Sequence, residues 1–118
     1  MIRAIQRTFA ALAAVCCLAG AGAHAAGDPQ AEIVAGKAAF VHRCAMCHRE
    51  GQTGTFILAR RLGKEKSLLE QRSDLQPDYV RQVVRMGLVN MPRLSRVEMP
   101  DPDLSAVIAY LTAPKVAP

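Results

Sequence analysis

Apolar positions fall along this chain in four blocks of different character. The first, residues 9–23, follows Arg3 and Arg7, carries no charge and is rich in Ala and Gly. The second begins near Ala31 and puts Ile33, Ala35, Ala38, Ala39 and Phe40 on a helical surface, without a clean 3.6-residue stripe. Gly36 within it lowers helix propensity by about 1 kcal/mol relative to Ala, so it requires a packing reason such as close approach of another helix. The third block is sharper. Pro77 suits a first helical position and Asp78 a first turn, Tyr79, Val80, Val83 and Val84 share one side, and Gly87 terminates. In the fourth, Asp101 can cap and Pro102 can begin a helix whose Leu104, Val107, Ile108 and Leu111 repeat at i, i+3, i+4 and i+7, until Pro114 stops it. From Glu50 to Gln76 the pattern weakens: residues 51–55 read as loop and 62–72 as a short charged helix. The expectation is one all-α domain without repeats.

The first block is not expected to join that domain. Two arginines, a short uncharged run and the small-x-small pattern Ala23-His24-Ala25 resemble a secretory signal cleaved before Ala26. Residues 1–25 are then signal peptide, residues 26–118 the domain, and the periplasm the destination. The run falls short of the ~20 apolar residues that span a bilayer, so no stable membrane insertion is expected after cleavage. Cys16 and Cys17 leave with the signal, and no convincing lipobox precedes them. Only Cys44 and Cys47 remain, and no disulfide framework is foreseen. A domain this small sits near the limit at which an apolar core suffices, and such domains usually recruit a disulfide, a metal or a cofactor.

Charge narrows the function classes. The formal charge is +5, from 15 Lys and Arg against 10 Asp and Glu, and loss of Arg3 and Arg7 reduces the excess. With Phe40, Phe56, Tyr79 and Tyr110 as the aromatics after the signal, a nucleic-acid surface is not expected.

Cys44-Ala45-Met46-Cys47-His48 carries the chemistry, because Cys-x-x-Cys-His is the attachment signature of c-type haem. Two thiols three positions apart can join the two vinyl groups of one porphyrin, and the adjacent imidazole becomes the proximal ligand. A redox dithiol would want a β-α-β context and a zinc half-site a second ligand pair, and the sequence offers neither. For the sixth position, His42 is tethered to the proximal side and Met46 is trapped in the attachment loop. Met91 lies in an extended stretch bounded by Gly87 and Pro92, suited to crossing the distal face, so the assignment falls on Met91. Met99, Met86 and an open site stand as alternatives. The cluster Arg60, Arg61, Lys64 and Lys66 reads as a solvated face, or as a place where Arg60 or Arg61 pairs with a haem propionate.

In order and spacing, Gly36, Phe40, the Cys44–His48 motif, Met91-Pro92 and the stretch from Leu104 to Leu111 resemble the small class I cytochromes c. The resemblance implies a cytochrome c fold of about four short helices around one covalently attached haem, with the first and last helices crossing near Gly36 and Tyr110. Leu75, Tyr79, Val84, Arg85, Gly87 and Met91-Pro92 further resemble the cytochrome subunits of p-cresol methylhydroxylase-type flavocytochromes. One departure is Gly54-Thr55, where the family commonly has Gly-Pro with a carbonyl that accepts the proximal imidazole's other N–H. Thr55 can still offer its backbone carbonyl.

The expected function is that of a periplasmic monohaem cytochrome carrying single electrons by Fe(III)/Fe(II) cycling, with no bond chemistry of its own. It would take them from a periplasmic dehydrogenase and pass them to a downstream cytochrome or oxidase. One rival is a tightly bound subunit of a flavin or quinoprotein dehydrogenase, with Leu88, Val89, Pro92 and Leu94 as a docking patch rimmed by Arg85, Arg93 and Arg96. The other is a peroxidase or gas-binding haem protein with an open sixth site.

Overall fold

The computed structural model describes residues 28–115; the expected signal peptide, its cleavage site and the last three residues lie outside them. Among the described residues there are five α-helices, two 3-10 turns and no strand, in the order α1 (Pro29–Arg43), α2 (Ala45–His48), α3 (Thr53–Leu62), turns at Lys64–Lys66 and Leu69–Gln71, α4 (Pro77–Met86) and α5 (Asp101–Thr112). The all-α expectation holds, with the single turn α2 added to four longer helices.

Local signals start and stop most of these elements. Asp28 caps α1, its carboxylate accepting from the Gln30 N–H at 3.0 Å, and Pro29 opens the helix. Pro77 opens α4, and Gly87 ends it in a left-handed conformation (φ 76°) with its N–H donating to the Val83 carbonyl at 2.8 Å.

The core forms where α1 crosses α5. An ideal Cβ on Gly36 would lie 1.9 Å from the Ala106 carbonyl oxygen and 2.9 Å from Tyr110 Cβ, so only glycine permits this approach. That is the packing reason its helix propensity called for. One turn on, Phe40 is fully buried and meets the Tyr110 ring at 5.9 Å between centroids, tilted by 57°. Leu104, Val107, Ile108 and Leu111 of α5 complete the seam, and Leu75, Val80, Val84 and Met99 close it from the other side.

Two local expectations are corrected. Residues 51–55 are not all loop and 62–72 are not a helix: α3 occupies Thr53–Leu62, Gly63 (φ 91°) stops it, and two 3-10 turns follow. No side chain caps α3, so its start left no local signal. Helix α5 begins one residue early, with Pro100 at the cap position and no side-chain cap. Asp101 turns instead to Arg85 and Arg96, because two guanidinium donors outweigh one backbone N–H.

Candidate cofactor site

The sequence motif becomes one compact turn. The Cys44 N–H still closes α1 on the Phe40 carbonyl at 2.8 Å, while its own carbonyl accepts from the Cys47 and His48 N–H groups at 3.0 and 2.9 Å. Two helices thus share Cys44 as a joint, which brings both thiols and the imidazole onto a single turn against the core. Cys44 is half-buried, Cys47 exposed, and both are free thiols. Burial pushes the Cys44 thiol up to about 11, opposed by Arg43 and reinforced by Cys47. A thiol held protonated is the opposite of the low-pKa nucleophile of a redox dithiol. Among the described residues no group of three or more His, Cys, Asp or Glu could hold a metal ion, which leaves the zinc alternative without a ligand set there.

His48 is half-buried, and burial lowers its pKa, favouring the neutral imidazole that metal ligation requires. Its ring lies against the first turn of α3: an ideal Cβ on Gly54 would sit 2.6 Å from the Cys47 carbonyl oxygen and 3.2 Å from His48 Cε1. Gly54 therefore lets α3 press on the proximal turn, a role that sequence reading could assign only through the family's Gly-x pair. Nδ1 of His48 is buried without a hydrogen-bond partner, and so is the Thr55 hydroxyl oxygen. The Thr55 carbonyl does not accept from the imidazole, and Thr55 lies within α3. Two free thiols on one turn with a half-buried imidazole that burial favours in its neutral form make a donor set that fits covalently attached haem.

Among the described methionines, Met91 alone combines a half-buried position on a loop with packing against the core cluster. Met99 is fully buried within that core, whereas Met86 is 72% exposed and Met46 is 77% exposed. His42 is exposed. A tight turn carries Met91: Leu88 and Met91 exchange backbone bonds at 3.0 and 2.9 Å, with Val89 at its tip at φ 53°. The loop folds closely on its own start, since a Cβ on Gly87 would lie 2.8 Å from the Met91 carbonyl oxygen. It returns to α4 where the Leu94 N–H donates to the Val84 carbonyl at 2.8 Å.

The charges near this loop differ from the expected rim. Arg85 faces inward, only 17% exposed, and donates to the Leu94 and Ser95 carbonyls at 3.1 and 3.2 Å and to Asp101 at 2.6 Å. Arg96 is exposed but engaged by the same Asp101 at 2.9 Å. Only Arg93 of the three forms no ion pair among the described residues. Arg43, next to the motif, ties it to the start of α5 through the Glu98 carbonyl and Asp103. Arg60 lies 5.8 Å above the Phe56 ring and Lys66 pairs with Asp74 at 3.2 Å, so part of the basic cluster on α3 and beyond has partners within the chain.

The family model described as cytochrome c oxidase, cbb3-type, subunit III matches residues 31–111, which span α1 to the end of the buried face of α5. No curated protein and no solved structure matches the chain.

Proposed function

Since the chain belongs to this family of c-type cytochromes, a domain that binds haem c and transfers electrons, we propose that it is a monohaem carrier. In this reading Cys44 and Cys47 would hold the haem through two thioethers, and His48 and Met91 would bind its iron. Haem bound there supplies a one-electron Fe(III)/Fe(II) couple, and its Met/His ligation raises the reduction potential. The chain's own residues do the rest. Burial keeps the His48 imidazole neutral, and Gly54 lets α3 hold the ring in place. The turn from Leu88 to Met91 would offer a soft sulfur to the haem iron, which would keep reorganisation small and leave no vacant position for substrate.

The observation that carries this reading is the proximal turn itself: free thiols at Cys44 and Cys47 on one turn with a half-buried imidazole that burial favours in its neutral form. The test is covalent attachment. Produced with c-type maturation machinery, the protein should keep its haem through denaturation and acid-acetone extraction. A colourless extracted chain would refute the assignment. Replacing Cys44 or Cys47 by Ala should leave at most one thioether, and replacing both should give an apo chain that does not fold. Ferrous wild type should bind carbon monoxide poorly and Met91→Ala readily, with a lowered potential. Met99→Leu, which conserves volume at a fully buried position, should do neither. Ready binding by wild type would favour the open-site peroxidase or gas-binding reading.

The site of action in this reading is the periplasm, reached through the signal in residues 1–25, with a periplasmic dehydrogenase as donor and a cytochrome or oxidase as acceptor. A second reading, in which the chain is a bound subunit of a flavin or quinoprotein dehydrogenase as the p-cresol methylhydroxylase likeness suggests, draws support from one feature. Leu88, Val89 and Met86 are 43%, 74% and 72% exposed around the Met91 loop, with Arg93 beside them. Size-exclusion chromatography of the protein co-expressed with its partner separates a lone carrier from a subunit.

A further inference from the structure

Arg85 joins three parts of the molecule that the backbone alone leaves loosely connected. It belongs to the last turn of α4, and its side chain crosses beneath the loop that follows. One terminal nitrogen, Nη1, serves the carbonyls of Leu94 and Ser95 at 3.1 and 3.2 Å, and the other, Nη2, serves Asp101 at the start of α5 at 2.6 Å. The loop between α4 and this clasp holds Met91. At its start it is fixed by the left-handed Gly87, and within it by the paired bonds of Leu88 and Met91. At its end a single backbone bond, Leu94 N–H to the Val84 carbonyl, returns it to α4. Arg85 reinforces that end with two further bonds. Its side chain is 17% exposed, against 77% for Arg96 on the same Asp101, whose own carboxylate is 52% exposed. Serving three oxygens from two nitrogens needs the planar fork of a guanidinium; an ammonium on a lysine stem does not reproduce it.

We infer that Arg85 is a positioning residue: it clamps the end of the 87–95 loop, and through that clamp it sets how often the Met91 thioether leaves the sixth position of the haem. The inference rests on the assignment of Met91 as ligand. Exposure of Met91 to exchange then depends on opening of the loop end, and the clasp governs that opening.

The test uses the haem-loaded full chain and two readouts. Hydrogen exchange at the Leu94 amide reports the loop end whatever the ligand, and the rate of carbon monoxide binding to ferrous protein reports sulfur release. Arg85→Gln should accelerate both about tenfold, the change that about 1.4 kcal/mol produces at 25 °C. Arg85→Lys should resemble it, because the charge is kept and the fork lost. Arg96→Gln should leave both within about twofold of wild type, as expected for an exposed pair. The Val107 amide in α5 should be unchanged throughout. Wild-type values at Leu94 and in carbon monoxide binding for Arg85→Gln would overturn the proposal. So would an equal rise at Val107, which would mean general destabilisation, or faster Leu94 exchange without faster binding. If Met91→Ala itself fails to bind carbon monoxide, the ligand assignment falls first and this proposal with it.

Discussion

Among the described glycines, Gly36 is the one where an added methyl group would come closest to a neighbouring atom. The added Cβ would lie 1.9 Å from the Ala106 carbonyl oxygen, 2.5 Å from the carbonyl carbon and 2.9 Å from Tyr110 Cβ. Two of these are backbone atoms of α5, so no rotamer change relieves the overlap. Ordinary contact begins near 3.4 Å, and α1 and α5 must separate by about 1.5 Å to reach it. A gap of 0.5–1 Å already forfeits roughly a quarter to a half of a dispersion contact. The side chains that lose those contacts are among the best buried in the molecule: Phe40 and Leu104 at 0% exposure and Val107 at 1%. Overpacking a core typically costs about 1–3 kcal/mol, and the backbone overlap puts this case at or above the top of that range. Ala restores about 1 kcal/mol of helix propensity, which leaves a net loss of roughly 2–3 kcal/mol. For a domain of this size each kcal/mol moves the midpoint by about 4–8 °C, so Tm should fall by roughly 10–20 °C. Thermal unfolding of the haem-loaded protein by far-ultraviolet circular dichroism measures it. Ala38→Gly, at an exposed position of the same helix, is the control and should cost only about 1 kcal/mol. A Gly36→Ala variant as stable as wild type would refute the close crossing of α1 and α5.

Three further outcomes follow from local geometry. Val89 is β-branched, 74% exposed and held at φ 53°, so Val89→Gly removes strain with little loss of burial and should stabilise by roughly 1 kcal/mol; a lower unfolding midpoint would contradict this. The Thr55 hydroxyl is buried without a partner, so the near-isosteric Thr55→Val should raise Tm, by about 1 kcal/mol of stability; a fall would show that the hydroxyl acquires a partner in the haem-loaded protein. Hydrogen bonds from Arg96 and Arg85 hold the Asp101 carboxyl below its ordinary value of 3.8. That stabilisation is present above the ordinary value and is lost as pH falls through the lowered folded one. Asp101→Asn should therefore be less stable than wild type in urea at neutral pH, and the deficit should shrink as pH falls below the ordinary carboxylate value; a deficit that does not change with pH would point to another cause.

Sequence alone was sufficient where the information is short-range. Cys44, Cys47 and His48 fall within one helical turn, so their spacing already places them together. The Pro77 and Gly87 boundaries and the apolar repeat of α5 are likewise local, because proline, glycine and a 3.6-residue period act over a few residues. Gly36 announced a close approach, and the family resemblance named its partner. What the sequence could not carry is the set of choices made by residues far apart. Met91 and Met99 each precede proline; the stretch from Gly87 to Pro92 pointed to Met91, but the complete burial of Met99 and the place of Met91 on a loop at the core's edge come from the assembled core. Asp101 has the composition of a helix cap, yet its carboxylate goes to Arg85 and Arg96 because folding delivers two guanidinium groups to it. Arg85 itself reads as a surface cation and becomes an internal clasp for the same reason. Helix α3 has no cap to advertise it, and it starts where Gly54 lets the backbone press on Cys47 and His48. Each of these depends on which groups compete for one site in three dimensions, and the energy that decides between them exists only once the chain has brought those groups into contact.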